Sequence, residues 1–143
     1  MYVTRTRGIQ GLPTTVQYIP YMSDTEKLLA LFEDHEPTIR SVEELLAYED
    51  YKIVVKARNM RGSMEVAAQL NDLGVIAALV DGNLTDGERG NWEGAQVTAA
   101  IHEKSPGVVV VGYASMGQVE GADYNPGKSD PQALFDVLAK IFS

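Results

Sequence analysis

The chain has 143 residues, 45% hydrophobic and 22% charged, the size and balance of one globular domain able to bury roughly two thirds of its unfolded surface. A formal net charge of −8 and a pI of about 4.7 argue against direct nucleic-acid contact, which needs clustered Lys and Arg to neutralise phosphates. The absence of Cys removes disulfides, thiolate metal sites and Cys nucleophiles, and with no apolar run near the roughly 20 residues of a membrane span and no signal-peptide core, no membrane association is expected and the expected location is cytoplasmic.

Residues 1–21 carry Arg5 and Arg7 and no acid, whereas all 20 Asp and Glu follow. The change at Met22 divides the chain into a leader or arm, 1–21, and a domain, 22–143. Thr, Gly and Pro punctuate the leader, with a short extended piece near Val16 to Tyr21. Leu28 to Phe32 is an apolar run that ends on Glu33-Asp34. His35, Glu36 and Pro37 then open a helix with Pro in its first turn, where the missing N–H costs nothing, and Ile39, Val42, Leu45 and Leu46 give that helix one apolar stripe. Glu43, Glu44, Glu49 and Asp50 read as a solvated acidic surface. Lys52 to Ala57 is a second strand, and Ser63 is expected to cap a helix whose Met64, Ala67, Leu70 and Leu73 face inward.

Val75 to Val80, bounded by Gly74 and Gly82, is a continuous apolar run of the kind buried on both faces of a parallel sheet, and it ends on Asp81. The polar loop Thr85 to Gly90 leads to Asn91, expected to cap a helix carrying Trp92, Ala95, Val97 and Ile101. Trp92 reads as a core or hinge residue of that helix. Gly107 to Val111 is a fourth strand. Gly112 to Gly121 is too short and too Gly-broken for a full helix, Ala122 to Asn125 is a weak fifth strand, and Asp130-Pro131 start a last helix with Leu134, Val137, Leu138, Ile141 and Phe142 on one side.

Strands alternating with helices imply right-handed crossovers and a parallel sheet. The expected fold is therefore α/β, a doubly wound five-stranded parallel sheet of order 2-1-3-4-5, with its fourth helix shortened or missing. In that order the first and third strands are neighbours at the switch point, so Glu33, Asp34 and Asp81 converge on one crevice. Clustered carboxylates repel one another and persist cheaply when a cation sits among them, and a hard cation with oxygen ligands, Mg²⁺ above all, suits the set. Lys128, just after the fifth strand, supplies a fixed positive charge beside Asp81.

Three segments in this order resemble the receiver domain of two-component response regulators: Phe32 to Arg40 (FEDHEPTIR), Leu79 to Leu84 (LVDGNL) and Gly121 to Lys128 (GADYNPGK). The resemblance covers residues 22–143 and implies a flavodoxin-like fold. It implies that Asp81 accepts a phosphoryl group from the phosphohistidine of a histidine kinase or phosphotransfer protein, and that Glu33, Asp34, Asp81 and the backbone carbonyl of Asn83 hold Mg²⁺. Lys128 would contact the phosphoryl oxygens. It further implies signalling by contact with a downstream protein rather than enzymatic turnover. The switch positions depart from the family: Gly112 stands in the Thr/Ser slot, Asn125 in the aromatic slot with Tyr124 one place early, and Ser129 follows the lysine in place of Pro. The competing reading is a receiver-like interaction module that works without phosphorylation.

Other patterns are weaker. Ala122 to Ser129 fits a relaxed phosphate-loop pattern, but Pro131 falls inside what would be the first turn of its helix. Ser115 lies one residue too far from Gly112 for a nucleophile elbow. His35 and His102 read as exposed helix residues.

Overall fold

The computed structural model describes residues 16–19 and 26–143. Five strands form one sheet: β1 (Val16–Tyr18), β2 (Lys27–Phe32), β3 (Tyr51–Ala57), β4 (Ala77–Val80) and β5 (Val109–Gly112). Its helices are α1 (Glu36–Ala47), α2 (Met60–Val66), α3 (Trp92–Lys104) and α4 (Pro131–Ile141).

The strands lie in the order β1-β3-β2-β4-β5. β3, β2, β4 and β5 are mutually parallel, and β1 runs antiparallel to β3. Two corrections to the expected all-parallel 2-1-3-4-5 sheet follow. The expected fifth strand is reduced to a single parallel bridge between Val111 and Tyr124, because Gly121 and Pro126 break the run on either side. The fifth strand of the sheet is instead β1, at the opposite edge, drawn from the segment that composition sets apart as a leader. The four remaining parallel strands keep the expected order. No helix forms between Tyr113 and Asn125, so the fourth crossover helix is missing.

Alternation along the strands divides the core in two. Leu28, Ala30 and Phe32 pack with Val54, Val80, Val110 and the inner faces of α2 and α3, where Val66, Val97 and Ile101 lie. Leu29 and Leu31 pack on the other face with Ile39, Val42 and Leu46 of α1 and with Leu134 and Leu138 of α4. Every side chain of Leu28–Phe32 is buried, which is why the run shows no polar alternation.

Several local expectations change. Asn59, not Ser63, caps α2, its side chain accepting from Gly62 N at 2.8 Å; Ser63 is fully buried one turn inside. Trp92 is not in the core: it is 51% exposed, with its indole N–H directed to Glu88 Oε2 at 3.4 Å. Glu43 is not simply a solvated acid, since the buried Lys56 of β3 donates to its Oε2 at 2.7 Å. No helix among the described residues is long and apolar enough to cross a membrane.

Candidate functional site

The site is positioned by register. Phe32, Val80 and Gly112 are aligned partners at the carboxyl ends of β2, β4 and β5, so the residues that follow, Glu33, Asp81 and Tyr113, leave the sheet at one level. Backbone bonds hold them there: Asp81 N to Phe32 O at 2.9 Å, Glu33 N to Ala57 O at 3.0 Å, and Tyr113 N to Val80 O at 2.8 Å. Lys128 arrives from the chain after the Tyr124 bridge, and its backbone N–H donates to Ala114 O at 3.1 Å.

All the sequence-predicted residues meet here. Glu33, Asp34, Asp81, Asn83 and Lys128 line one open cleft of about 960 Å³, roomy enough for more than a single ion. Lys128 Nζ lies 2.7 Å from Glu33 Oε1 and 3.1 Å from Asp81 Oδ1. Asp81 Oδ1 also accepts from Gly82 N at 2.8 Å, and Glu33 Oε2 accepts from His35 N at 3.2 Å. Asp34, half-buried, completes a set of three carboxylates whose nearest oxygens fall within 4.8 Å of one another.

Three carboxylates facing one ammonium leave the cluster short of positive charge. Burial, then the charge of Asp81 and a carboxyl–carboxylate contact with it, push the Glu33 carboxyl up to about 7 against the opposing pull of Lys128. Burial works against the Lys128 ammonium, but the Glu33 contact and charge, followed by those of Asp81, outweigh it and raise its pKa, so it stays charged. Glu33 is 1% exposed, and its Oε1, despite the ion pair with Lys128, accepts no well-aligned hydrogen bond. Three carboxylates gathered around a single ammonium, one of them buried, form an all-oxygen donor set that fits a hard divalent cation. The cluster could hold a metal, with Glu33, Asp34 and Asp81 as ligands.

The walls contain residues whose part sequence reasoning missed. Asn91 stands at the N-cap position of α3, as expected, but does not cap it with its side chain. It adopts a left-handed backbone, φ 61 and ψ 17, without a capping bond, and its side chain instead spans two loops. Glu93, outwardly an ordinary first-turn acid, is buried and grips the turn after Asp81 by accepting from Leu84 N at 2.7 Å and Thr85 Oγ1 at 2.8 Å. Tyr113 is buried with its ring 5.7 Å from Lys128 Nζ, and burial pushes its phenol up, so it stays neutral. Asn at a loop-to-helix junction is compatible with a left-handed turn as well as a cap, which was the available signal for Asn91; nothing local marks Glu93 or Tyr113.

The structure explains the side-chain-less position 112. A Cβ on Gly112 would collide with Asn125 Oδ1, and would lie 3.1 Å from Val119 Cβ. Asn125 is fixed where it is: its Oδ1 accepts from Val119 N at 2.9 Å and its Nδ2 donates to Val119 O at 3.4 Å. The Gly112–Asn125 pair therefore closes the loop that replaces the missing helix, and Ser115 is the hydroxyl residue from that loop that lines the cleft. Restoring a hydroxyl by Gly112→Thr is expected to lower stability by about 1–3 kcal/mol through overpacking and loss of the Asn125 bonds, read as a lower urea midpoint. Adding Asn125→Ala should relieve most of the clash.

No protein-family model matches the sequence, and no curated protein is similar to it in sequence. The fold is nevertheless shared with solved structures. A response regulator receiver domain protein (CheY-like) from Methanospirillum hungatei JF-1 superposes with a TM-score of 0.65 at 19% identity, covering 81% of this chain and 93% of that one. A response regulator receiver domain protein from Clostridium thermocellum gives 0.65 at 14% identity over 80% and 93% of the two chains. A response regulator from Burkholderia pseudomallei, solved with a phosphorylated aspartic acid, a calcium ion and citrate, gives 0.62 at 16% identity over 78% and 66%. The fold is that of CheY-like response regulator receiver domains.

Proposed function

We propose that the protein is a two-component signalling receiver in which Asp81 accepts a phosphoryl group from a histidine kinase or phosphotransfer protein in a Mg²⁺-dependent reaction. The observation that carries this reading is the Lys128 ammonium between Glu33 and Asp81, with Asp34 alongside, at the carboxyl end of a receiver-type sheet. The phosphorylated aspartic acid and metal of the Burkholderia neighbour support it. Glu33, Asp34, Asp81 and the Asn83 carbonyl would hold Mg²⁺, which when bound supplies positive charge against the phosphoryl oxygens.

The chain's own residues do the rest. Asp81 Oδ1 is engaged by Gly82 N–H and Lys128, so Oδ2 attacks phosphorus. A P–O bond forms as the P–N bond to the donor imidazole breaks, and the electron pair stays on the imidazole nitrogen, which takes up a proton from water. Lys128 contacts the transferred oxygens by position and charge, not by proton transfer, as befits an ammonium held charged by two carboxylates. The product is a modified protein that signals through contacts with a downstream protein rather than an enzyme that turns over.

The test is incubation with Mg²⁺ and a small phosphodonor such as acetyl phosphate. One phosphoryl adduct per chain is expected by intact mass, with none when Mg²⁺ is chelated and none in Asp34→Ala. Mg²⁺ alone should also raise the melting temperature of the wild type and leave that of Asp34→Ala unmoved. The Gly112–Asn125 closure favours a second reading, a receiver-like module that binds its partner without phosphorylation. A wild type that takes up Mg²⁺ but never a phosphoryl group would select it.

A further inference from the structure

Asn91 makes more side-chain contacts around the cleft than any acid in it, yet it has no place in the proposed chemistry. Its Oδ1 accepts from Asn83 Nδ2 at 3.2 Å, and its backbone N–H donates back to Asn83 Oδ1 at 3.1 Å. Its Nδ2 donates to Met116 O at 2.7 Å and to Gln118 O at 3.2 Å. With one lone pair of Oδ1 and both Nδ2 hydrogens engaged, the amide makes three of its four possible hydrogen bonds, and its partners distinguish oxygen from nitrogen. One asparagine therefore joins the turn that follows Asp81 to the loop that stands where a helix is missing.

The slot for this amide is built into the sequence. A Cβ on Gly82 would collide with Asn91 Oδ1, so Gly at 82 is what admits the Asn91 side chain beside Asp81. The left-handed φ of 61 at Asn91 directs that side chain back over the turn, a conformation Asn tolerates better than most residues. At the far end, Ser115 to Gln118 are all exposed, Met116 at 82%. None of these four side chains is buried, and exposed stretches of this kind lie at the low end of local stability.

We propose that Asn91 is a positioning residue that couples the metal-binding turn to the Ser115–Gln118 loop, so that filling the site orders the loop and presents Met116 in one arrangement. The inference rests on the metal reading of the cleft. An ion held by Asp81 and the Asn83 carbonyl restricts the turn. Asn83 then fixes the Asn91 amide, and a fixed amide lowers the entropy cost of holding the two carbonyls on the loop. No hydroxyl at position 112 is required.

Amide hydrogen exchange followed peptide by peptide, with and without MgCl₂, tests this on the whole chain. In the wild type, Mg²⁺ should slow exchange at 81–84 and, by about threefold or more, at 113–119. Asn91→Gly keeps the left-handed backbone, which Gly adopts freely, and removes only the amide. In it the response at 81–84 should persist while that at 113–119 vanishes. Asn91→Asp, which retains the acceptor for Asn83 but loses both donors, should behave in the same way and guards against a cavity artefact in the Gly variant. Protection at 81–84 without protection at 113–119 in the wild type would overturn the coupling alone. Loop protection that survives in both variants would overturn the role of Asn91. No change anywhere with Mg²⁺ would remove the metal reading and the coupling with it.

Discussion

Asp81→Asn is expected to take up no phosphoryl group from acetyl phosphate under conditions in which the wild type should be modified, and to remain folded. The amide matches the carboxylate in volume, and its oxygen can still accept from Gly82 N–H and face Lys128, contacts that the wild type makes at 2.8 and 3.1 Å. It cannot form an acyl phosphate, because the amide nitrogen's lone pair is delocalised into the carbonyl and the oxygen carries no full charge. Removing the Asp81 charge also removes the repulsion that, after burial, raises the Glu33 pKa, so the variant's melting temperature should equal or exceed that of the metal-free wild type. The two readouts together separate loss of the acceptor from loss of the fold. In the wild type the adduct should be discharged by neutral hydroxylamine, as acyl phosphates are and phosphoserines are not. An adduct that persists in Asp81→Asn would place the acceptor elsewhere and end the assignment.

The second large effect is the dependence of metal-free stability on pH. Glu33 is raised from 4.5 to about 7, first by burial and then by Asp81, so the folded chain holds this proton more tightly than the unfolded chain does. Between those two values the native state binds more protons, and the contribution of Glu33 to stability falls as pH rises through the window. Each unit is worth about 1.4 kcal/mol, and the full shift is on the order of 3 kcal/mol. Glu33→Gln, neutral at every pH, lacks this slope. Relative to the wild type it should gain stability on that scale between about pH 4 and about pH 8, measured by urea unfolding in EDTA. Saturating Mg²⁺ should flatten the wild-type slope, because a bound cation stabilises the ionised carboxylate. Equal slopes for the two proteins without metal would show that Glu33 titrates normally and that the cluster is less confined than its geometry indicates.

The parts of this arrangement that could be read from the chain are those written in local pattern. Leu28–Phe32 and Ala77–Val80 are short apolar runs ended by acid, and a parallel sheet sends such ends to one edge, so Glu33, Asp34 and Asp81 could be brought together before any coordinates. Lys128 was legible because the segment Gly121 to Lys128 resembles the corresponding lysine-bearing segment of receiver domains. What stayed hidden depends on partners distant in sequence. The short extended piece beginning at Val16 was legible, but not that its three residues would join the sheet as β1 by pairing antiparallel with the β3 edge, Val16 opposite Ala57. The pairing of Lys56 with Glu43, the burial of Glu93 and the exposure of Trp92 reverse what composition suggests, because a polar side chain's partner is chosen by the fold and not by its neighbours in the chain. Asn91 does stand at the N-cap position read from the sequence, but the partners of its side chain stayed hidden for the same reason, since they lie across the cleft.

The antiparallel β1 has a consequence for solubility. A parallel sheet of β3, β2, β4 and β5 alone would leave β3 as a bare flank, its unpaired amides and carbonyls free to zip onto the same flank of another copy. Here the chain spends a few residues of its own amino-terminal segment as a selvage along that flank, seated by Val16 in the core. A shorter form beginning at Met22 would keep every acid of the cleft and lose that hem. Its characteristic failure would be clumping rather than silence.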